Sequence, residues 1–229
     1  MRSYSSTKPG DSAEGLMTDR SRWVAQRVQL LVRRYDVLHA PVYDQHYGTL
    51  DPVNREFLEA VLGRCPPGAR ILDAACGTGV YWSDILARGH TVVGVDASSG
   101  MLAQARVKFP DVETLRCSLD AMPFGDEFDA AICVDALEMV VPEMWAPSLA
   151  RLGSAVHAGG PIYLTVERPP QDLDEVHAAG LEAGLPLVDG EYVQGDSYHY
   201  YPRRDVVSAQ LSSANLGIEM QRPLERPGT

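Results

Sequence analysis

A strand-like apolar run that stops in a glycine turn is the feature that most constrains the fold of this chain. The run covers residues 69–75, Asp73 lies near its end, and Gly77 and Gly79 follow it. Glycines allow the backbone to turn sharply and to approach a ligand closely. The third glycine of a dinucleotide-binding G-x-G-x-x-G turn allows close packing of helix on strand, but Trp82 stands there. The turn therefore predicts a strand–helix unit beside a ligand site and argues against NAD or FAD.

Acids also follow the next apolar runs. The second, third and fourth runs are followed by Asp96, Asp120 and Asp135, respectively. An acid at the tip of the second strand can accept hydrogen bonds from both hydroxyls of a ribose. Apolar runs that alternate with helical segments predict an α/β fold with a doubly wound, mostly parallel sheet. In such sheets ligands bind at the carboxyl ends of the strands, so we expect these acids to share one edge.

Taken together, these segments resemble the class I S-adenosylmethionine (SAM)-dependent methyltransferases that act on small molecules. The matching segments are Ile71–Gly79, Val92–Ser98, Leu119–Phe124 and Phe128–Val140, within residues 70–167. One departure is Ala75, where the family often has glycine. The resemblance implies a Rossmann-like methyltransferase fold with an N-terminal helical lid and an insertion after strand five.

The resemblance also implies a domain order and a cofactor site. We expect a disordered lead over residues 1–20, a helical lid over 21–64 and a SAM-binding α/β domain over 65–229, which includes a substrate-side insertion at 168–202. The glycine turn would cradle the methionine moiety, whereas taken singly Asp73 or Asp120 could be an ordinary surface or cap acid. The residues expected to bind SAM are Tyr43, Asp73, Ala75, Gly77, Gly79, Asp96, Ala97, Met101, Leu119, Asp120 and Cys133.

The insertion interrupts the strand–helix rhythm with prolines, glycines, acids and a late aromatic cluster. In this family such insertions roof the substrate pocket, but the aromatic residues could equally form a hairpin packed against the core. The residues expected to contact the acceptor are Tyr47, Tyr198, Tyr200 and Tyr201. The expected catalytic candidates are His199, Glu138 and Glu167; the alternative for the histidine is a hydrogen-bonded structural role.

Composition narrows the class of partner. The formal net charge is −11 without a Lys/Arg cluster, which disfavours nucleic acid as a partner. No apolar run reaches the roughly 18 residues of a membrane helix, and the polar first residues lead us to expect no secretory signal. The four cysteines form no C-x-x-C pair, so we expect no metal site and a reducing cytoplasmic location.

The sequence thus predicts an enzyme that methylates an O or N atom of a small molecule, as in secondary metabolism. The alternative is a non-catalytic SAM-binding regulatory or partner subunit. A helix over residues 203–214 and a sixth strand over 217–222 are expected at the carboxyl end. An exposed edge of that strand could pair with a second copy, so a homodimer is a further hypothesis.

Overall fold

A five-stranded parallel sheet forms the centre of the molecule. The computed structural model describes residues 19–223, so most of the expected lead lies outside the described residues. The strands run in the order β3-β2-β1-β4-β5, and every pairing between them is parallel. Their bounds are Arg70–Ala74 (β1), Thr91–Asp96 (β2), Glu113–Arg116 (β3), Ala130–Cys133 (β4) and Ile162–Leu164 (β5). This topology confirms the α/β fold expected from the sequence.

Helices cover both faces of the sheet. Within β1, Ile71 and Leu72 belong to different buried clusters, because successive strand residues point to opposite faces. The helices are Asp19–Arg34 (α1), Tyr43–Tyr47 (α2), Pro52–Leu62 (α3), Trp82–Ala87 (α4), Ser99–Lys108 (α5), Pro142–Ala155 (α6), Leu173–Glu182 (α7) and Arg204–Ser213 (α8). The core on the Ile71 face is formed with α3, α4 and α5, and the core on the Leu72 face with α1, α6 and α8. None of the helices within residues 19–223 is long and apolar enough to cross a membrane.

Helix starts follow the capping residues in the sequence. Asp51 accepts the backbone N–H of Val53 at 2.8 Å, and Pro52 occupies the first turn of α3. Ser98 accepts the backbone N–H of Met101 at 3.1 Å at the start of α5. Such side chains satisfy backbone donors that the first helical turn leaves free. The Ser98 cap fixes where α5 leaves the end of β2, which carries Asp96.

The expected lid is divided between two roles. Helix α3 buries Leu58, Val61 and Leu62 against the sheet, so this part of residues 21–64 belongs to the core. A π-helical turn, Tyr35–His39, and the short helix α2 have no buried residue. We call residues 35–47 the lid segment. Ala40 is the one buried residue of this segment, and the others are half-buried or exposed, as expected of a cover.

The insertion contains an antiparallel hairpin, Glu191–Gln194 (β6) with Ser197–Tyr200 (β7). Tyr198 and Tyr200 share one face of β7 and are buried, whereas His199 on the other face is half-buried. The structure thus forms the hairpin that the sequence left as an alternative.

The prediction of a sixth strand over residues 217–222 is wrong. Residues 216–223 form no strand, and Ile218 and Met220 are each 54% exposed. Arg222 instead pairs with Glu56 of α3 at 2.6 Å. The homodimer hypothesis loses the strand edge on which it depended.

Candidate functional site

The carboxyl ends of β1, β2 and β4 bring acids and the glycine turn together, as expected from the parallel sheet. Both oxygens of Asp96 accept backbone N–H groups, from Gly77 at 2.9 Å and from Ser98 at 2.7 Å. Burial raises the pKa of Asp96, although these two hydrogen bonds act in the opposite direction. The carboxylate therefore ties the glycine turn to the end of β2, and its remaining lone pairs can still accept hydrogen bonds.

Strained backbone occurs at two of these strand ends. Ala75 has a φ of 62° and Asp135 a φ of 49°, in the left-handed region that favours glycine. Gly77 and Gly79 lie in the same region, at 54° and 77°. Backbone strain persists where surrounding structure holds it, and it concentrates at ligand sites. The φ at Ala75 explains why glycine suits this position.

Asp73 and Trp82 form a buried pair beneath the turn. Asp73 is 2% exposed, and its carboxylate accepts the indole N–H of Trp82 at 2.8 Å. Burial raises the pKa of Asp73 to about 7, with a further contribution from the charge of Asp96, while the indole lowers it. A carboxyl group with such a pKa responds strongly to a cation placed beside it.

The lid segment lies over the glycine turn. A Cβ built on Gly77 would lie 3.1 Å from Met101 Cε and 4.0 Å from Tyr43 Cε1, so both expected residues are beside the turn. The rings of Tyr43 and Tyr47 are 5.0 Å apart, and Tyr47 is 59% exposed. Tyr43 is therefore placed to cover a ligand, whereas Tyr47 lies at the rim.

Two lid carboxylates hold this arrangement. Asp36 accepts the backbone N–H of Gly100 at 2.8 Å and the hydroxyl of Ser98 at 2.6 Å. Asp44 pairs with Lys108 at 2.7 Å and accepts the hydroxyl of Thr78. The lid segment is thus attached to both ends of α5 and to the glycine turn.

Tyrosine hydroxyls and carboxylates face one another beneath the lid segment. Burial raises the pKa of Tyr43 to about 12, and the charges of Asp135, Asp96 and Glu138 add to this effect. Burial and the same type of neighbours raise the pKa of Tyr35. Both phenols therefore stay protonated and can donate hydrogen bonds at neutral pH.

The sequence did not identify a second group near Asp135. Tyr163 donates to Asn54 at 2.7 Å, and Asn54 donates to Tyr81 at 3.2 Å. Burial raises the pKa of Tyr81, and the charge of Asp135 contributes most after it. The sequence contains one sign of this group, which is the polar Asn54 on the apolar face of an amphipathic helix.

The remaining cofactor candidates surround the same edge. Leu119 and Asp120 form a half-buried 3-10 turn after β3, and the carbonyl of Ala97 accepts from Arg116 at 3.2 Å. Cys133 is fully buried at the end of β4, and its carbonyl accepts the N–H of Thr165 at 3.1 Å. That carbonyl is already engaged in the sheet, so it can offer only its second lone pair to a ligand.

The catalytic candidates lie on three different elements. Glu138 is 4% exposed in a 3-10 turn after β4, and Glu167 is half-buried after β5. His199 lies on β7 with its ring stacked 5.8 Å from that of Tyr201. Burial and the charge of Arg34 lower the pKa of His199. The imidazole is therefore neutral near pH 7, the form that accepts protons.

Three of the four tyrosines expected at the acceptor, Tyr198, Tyr200 and Tyr201, are buried. Tyr198 is 1% exposed and donates to Glu191 at 2.7 Å, and the ring of Tyr200 meets that of Trp145 edge-on at 5.5 Å. Both contacts favour the alternative of a hairpin that packs its aromatic side chains against the core. Tyr201 is 9% exposed and its ring stacks on that of His199.

Comparison with known proteins gives one family. The family model described as "Methyltransferase domain" matches residues 71–160. Methyltransferase-like protein 27 of Homo sapiens is 32% identical over 188 residues, covering 71% of this chain and 75% of that protein. A demethylmenaquinone methyltransferase of Beutenbergia cavernae is 37% identical over 89 residues, but these cover 38% of this chain and 36% of that protein. The chain thus spans little more than a third of the length of this last relative.

Solved structures agree on the fold. A Burkholderia thailandensis 1,6-didemethyltoxoflavin-N1-methyltransferase, solved with 1,6-didemethyltoxoflavin and S-adenosylhomocysteine, has a TM-score of 0.62 at 19% identity. That likeness covers 92% of this chain and 85% of the other. The magnesium protoporphyrin IX methyltransferase of Synechocystis, solved with the same cofactor product, has a TM-score of 0.61 at 18% identity, covering 82% and 88%. At such identities these likenesses establish the architecture.

Proposed function

Because the chain belongs to the methyltransferase family, we propose that it transfers a methyl group from SAM to an oxygen or nitrogen atom of a small molecule, as in secondary metabolism. SAM is the methyl donor of this family and therefore the cofactor. The observation that carries the proposal is the convergence of Asp73, Asp96 and Tyr43 on one glycine turn.

The residues at the strand ends fit this cofactor. SAM carries an ammonium and a sulfonium, and Asp73 and Asp96 supply negative charge beside Gly77 and Gly79, which have no side chain to block approach. Asp73 would hold the ammonium and Asp96 the ribose hydroxyls. The 3-10 turn with Leu119 and Asp120 would meet the adenine edge. When bound, SAM supplies a methyl group on a positively charged sulfur atom.

The remaining steps concern what the protein does to the acceptor. The lid segment would exclude water, which strengthens the interactions that orient the acceptor. Tyr43 and Tyr47 would line the route to the sulfonium, and alignment of acceptor with methyl group is a proximity effect. An oxygen acceptor would give up its proton to a nearby base.

Three side chains could receive that proton. Glu138 is the strongest candidate, since it lies close enough to Tyr43 and Tyr35 to raise the pKa of both. His199, neutral at pH 7, would serve an acceptor that enters beside the hairpin, and Glu167 one beside β5. Glu138→Gln should lower kcat and leave SAM affinity unchanged. If kcat fell only in His199→Asn, the general base would be His199 of the hairpin instead.

Relatives whose names specify an acceptor support a small-molecule acceptor without fixing the atom. A ubiquinone biosynthesis O-methyltransferase of Alkalilimnicola ehrlichii is 32% identical over 130 residues, covering 51% of that protein. An amino-sugar N,N-dimethyltransferase of Streptomyces venezuelae is 28% identical over 102 residues, covering 43% of that protein. The likeness therefore extends to both oxygen and nitrogen acceptors.

Calorimetry and methyl transfer test the proposal together. The wild type should bind SAM, Asp96→Ala should lose binding because the ribose contacts go, and the exposed Asp111→Ala should bind as the wild type does. Radiolabelled methyl transfer to a panel of small phenols and amines then tests activity. Unchanged affinity in Asp96→Ala would refute the cofactor site. Binding without transfer to any acceptor would favour a non-catalytic SAM-binding subunit.

A further inference from the structure

We propose that Trp82 is a positioning residue for the cofactor: its indole N–H holds the Asp73 carboxylate in the orientation that receives the ammonium of SAM. Trp82 stands where a dinucleotide-binding turn has its third glycine. The inference rests on the assignment of Asp73 to the ammonium under the proposed function. It gives the bulky residue at this position a part in cofactor binding.

The hydrogen bond between the two residues is shielded from water. Trp82 Nε1 donates to Asp73 Oδ2 at 2.8 Å, and the side chains are 0% and 2% exposed. Within residues 19–223 this is the hydrogen bond that the Asp73 carboxylate makes, so Oδ1 remains for a ligand. Because water cannot substitute for the indole, loss of this donor would leave the carboxylate without its fixed direction.

The indole ring occupies space that is free only because Gly79 and Gly94 have no side chain. A Cβ on Gly94 would lie 2.2 Å from the ring, and one on Gly79 would lie 2.6 Å from it. Phe109 meets the ring edge-on, with centroids 5.4 Å apart. The ring therefore fills the space between β2 and the glycine turn and cannot rotate. The direction of its N–H, and hence of the accepting oxygen, is set by this packing.

The indole also favours the charged form of Asp73. The pKa of Asp73 is raised to about 7, because burial and the charge of Asp96 raise it by more than the indole lowers it. The other titratable groups that face Asp73 are the phenol of Tyr81 and the thiols of Cys76 and Cys133, and burial raises the pKa of all three. These three groups stay neutral near pH 7, so Asp96 is the charged neighbour whose effect on the pKa of Asp73 opposes that of the indole.

Substitution of Trp82 by Phe keeps an aromatic ring and removes the donor. SAM affinity is measured by calorimetry from about pH 6 to about pH 9, and the ratio of variant to wild type at each pH cancels the titration of SAM itself. We expect about tenfold weaker binding at pH 7, from the lost hydrogen bond and the raised pKa of Asp73. The affinity of the variant relative to the wild type should rise from about one-tenth at pH 7 to roughly one-third at high pH. It rises because Asp73 is then ionised in both proteins, and the part of the loss that is due to protonation disappears.

Asp73→Asn provides the background that separates positioning from packing. In that background Trp82→Phe should cause no further loss of SAM affinity, and the pH dependence of the ratio should vanish. A loss that persists there, or one that is the same at every pH in the Asp73 protein, would overturn the proposal. Wild-type protein without SAM affinity would overturn the cofactor site as well, whereas wild-type binding with an unaltered affinity in Trp82→Phe would overturn only the role of Trp82.

Nuclear magnetic resonance gives a readout that does not depend on the Trp82→Phe variant. The chain has three tryptophans, and Trp23→Phe and Trp145→Phe identify the indole signal of Trp82 by elimination. That ¹H–¹⁵N signal should shift with pH around 7 in the wild type, move on addition of SAM, and stay constant with pH in Asp73→Asn. An indole signal that ignores both pH and SAM in the wild type would overturn the proposal.

Discussion

Arg20 and Glu191 form an ion pair whose removal should measurably destabilise the protein. Glu191 is 0% exposed at the start of β6 and accepts both Arg20 terminal nitrogens, at 2.6 and 2.8 Å. It also accepts the hydroxyl of Tyr198 and the backbone N–H of Val188, each at 2.7 Å. The Arg20 side chain is 18% exposed and pairs with Glu143 as well. One fully buried carboxylate thus joins the hairpin to α1.

Arg20→Ala removes the cation and leaves the charge of Glu191 buried. Breaking a buried pair in this way costs about 3–5 kcal/mol. For a chain of this size each kcal/mol lowers the Tm by about 2–4 °C, so we expect a fall of roughly 6–20 °C. Glu191→Gln should cost less, about 1–2 kcal/mol, because the substituted side chain is neutral and Arg20 keeps Glu143 and some water.

Urea denaturation of the two single variants and the double variant tests this order. The double variant Arg20→Ala/Glu191→Gln should be more stable than Arg20→Ala alone, since it no longer buries an unpaired charge. Arg203→Ala is the matched control, because its pair with Asp205 is exposed, and it should leave stability unchanged. A loss below about 1 kcal/mol in Arg20→Ala, or a double variant no more stable than it, would refute the reasoning.

Three further predictions concern the site. Ala75→Gly should raise the free energy of unfolding by about 0.5–1 kcal/mol, because relief of the positive φ exceeds the added chain entropy; chemical denaturation measures it, and a loss would count against strain there. Asp73→Asn should stabilise the cofactor-free protein at pH 8 and less so at pH 5: the pKa of Asp73 is raised to about 7 in the folded state, so its contribution to stability is present at low pH and is lost as the pH rises through 7. Thermal melts at both values decide this, and a gain at pH 5 as large as at pH 8 would contradict it. Asp44→Asn should speed hydrogen exchange in residues 35–47 by weakening the contacts with Lys108 and Thr78, and exchange equal to that of the wild type would show that other contacts hold the lid segment.

The sheet was predictable because strands buried on both faces read as continuous apolar runs. The glycine turn and the acid after β2 follow directly, since a parallel sheet places the ends of its strands at one edge. The prediction of strand six failed although its apolar residues alternate. Ile218 and Met220 are exposed, and the charged residues beside them pair with the α3 region, Arg222 with Glu56 and Glu219 with Arg64.

The contacts of the lid and the hairpin were less accessible to sequence reasoning. Asp36 and Asp44 find partners on α5, far along the chain, and no local pattern specifies such pairings. The period of two in β7 does separate Tyr198 and Tyr200 from His199, but which face meets the core depends on Trp23 and Trp145 from other helices. The alternation in β7 is visible in the sequence, but tertiary packing decides which of its two faces is buried.

Attachment of the lid segment by polar groups affects how the cofactor could come and go. The π-helical turn and α2 have no buried residue, and their links to the rest of the protein include Asp36 and the ion pair of Asp44 with Lys108. Apart from Ala40 and the tyrosine rings, lifting this segment would uncover little apolar surface, so the heat-capacity change of opening would be modest. Its cost would lie in hydrogen bonds and an ion pair that water and salt readily replace. Exchange of spent cofactor for fresh SAM should therefore respond to ionic strength more than to temperature-dependent hydrophobic forces.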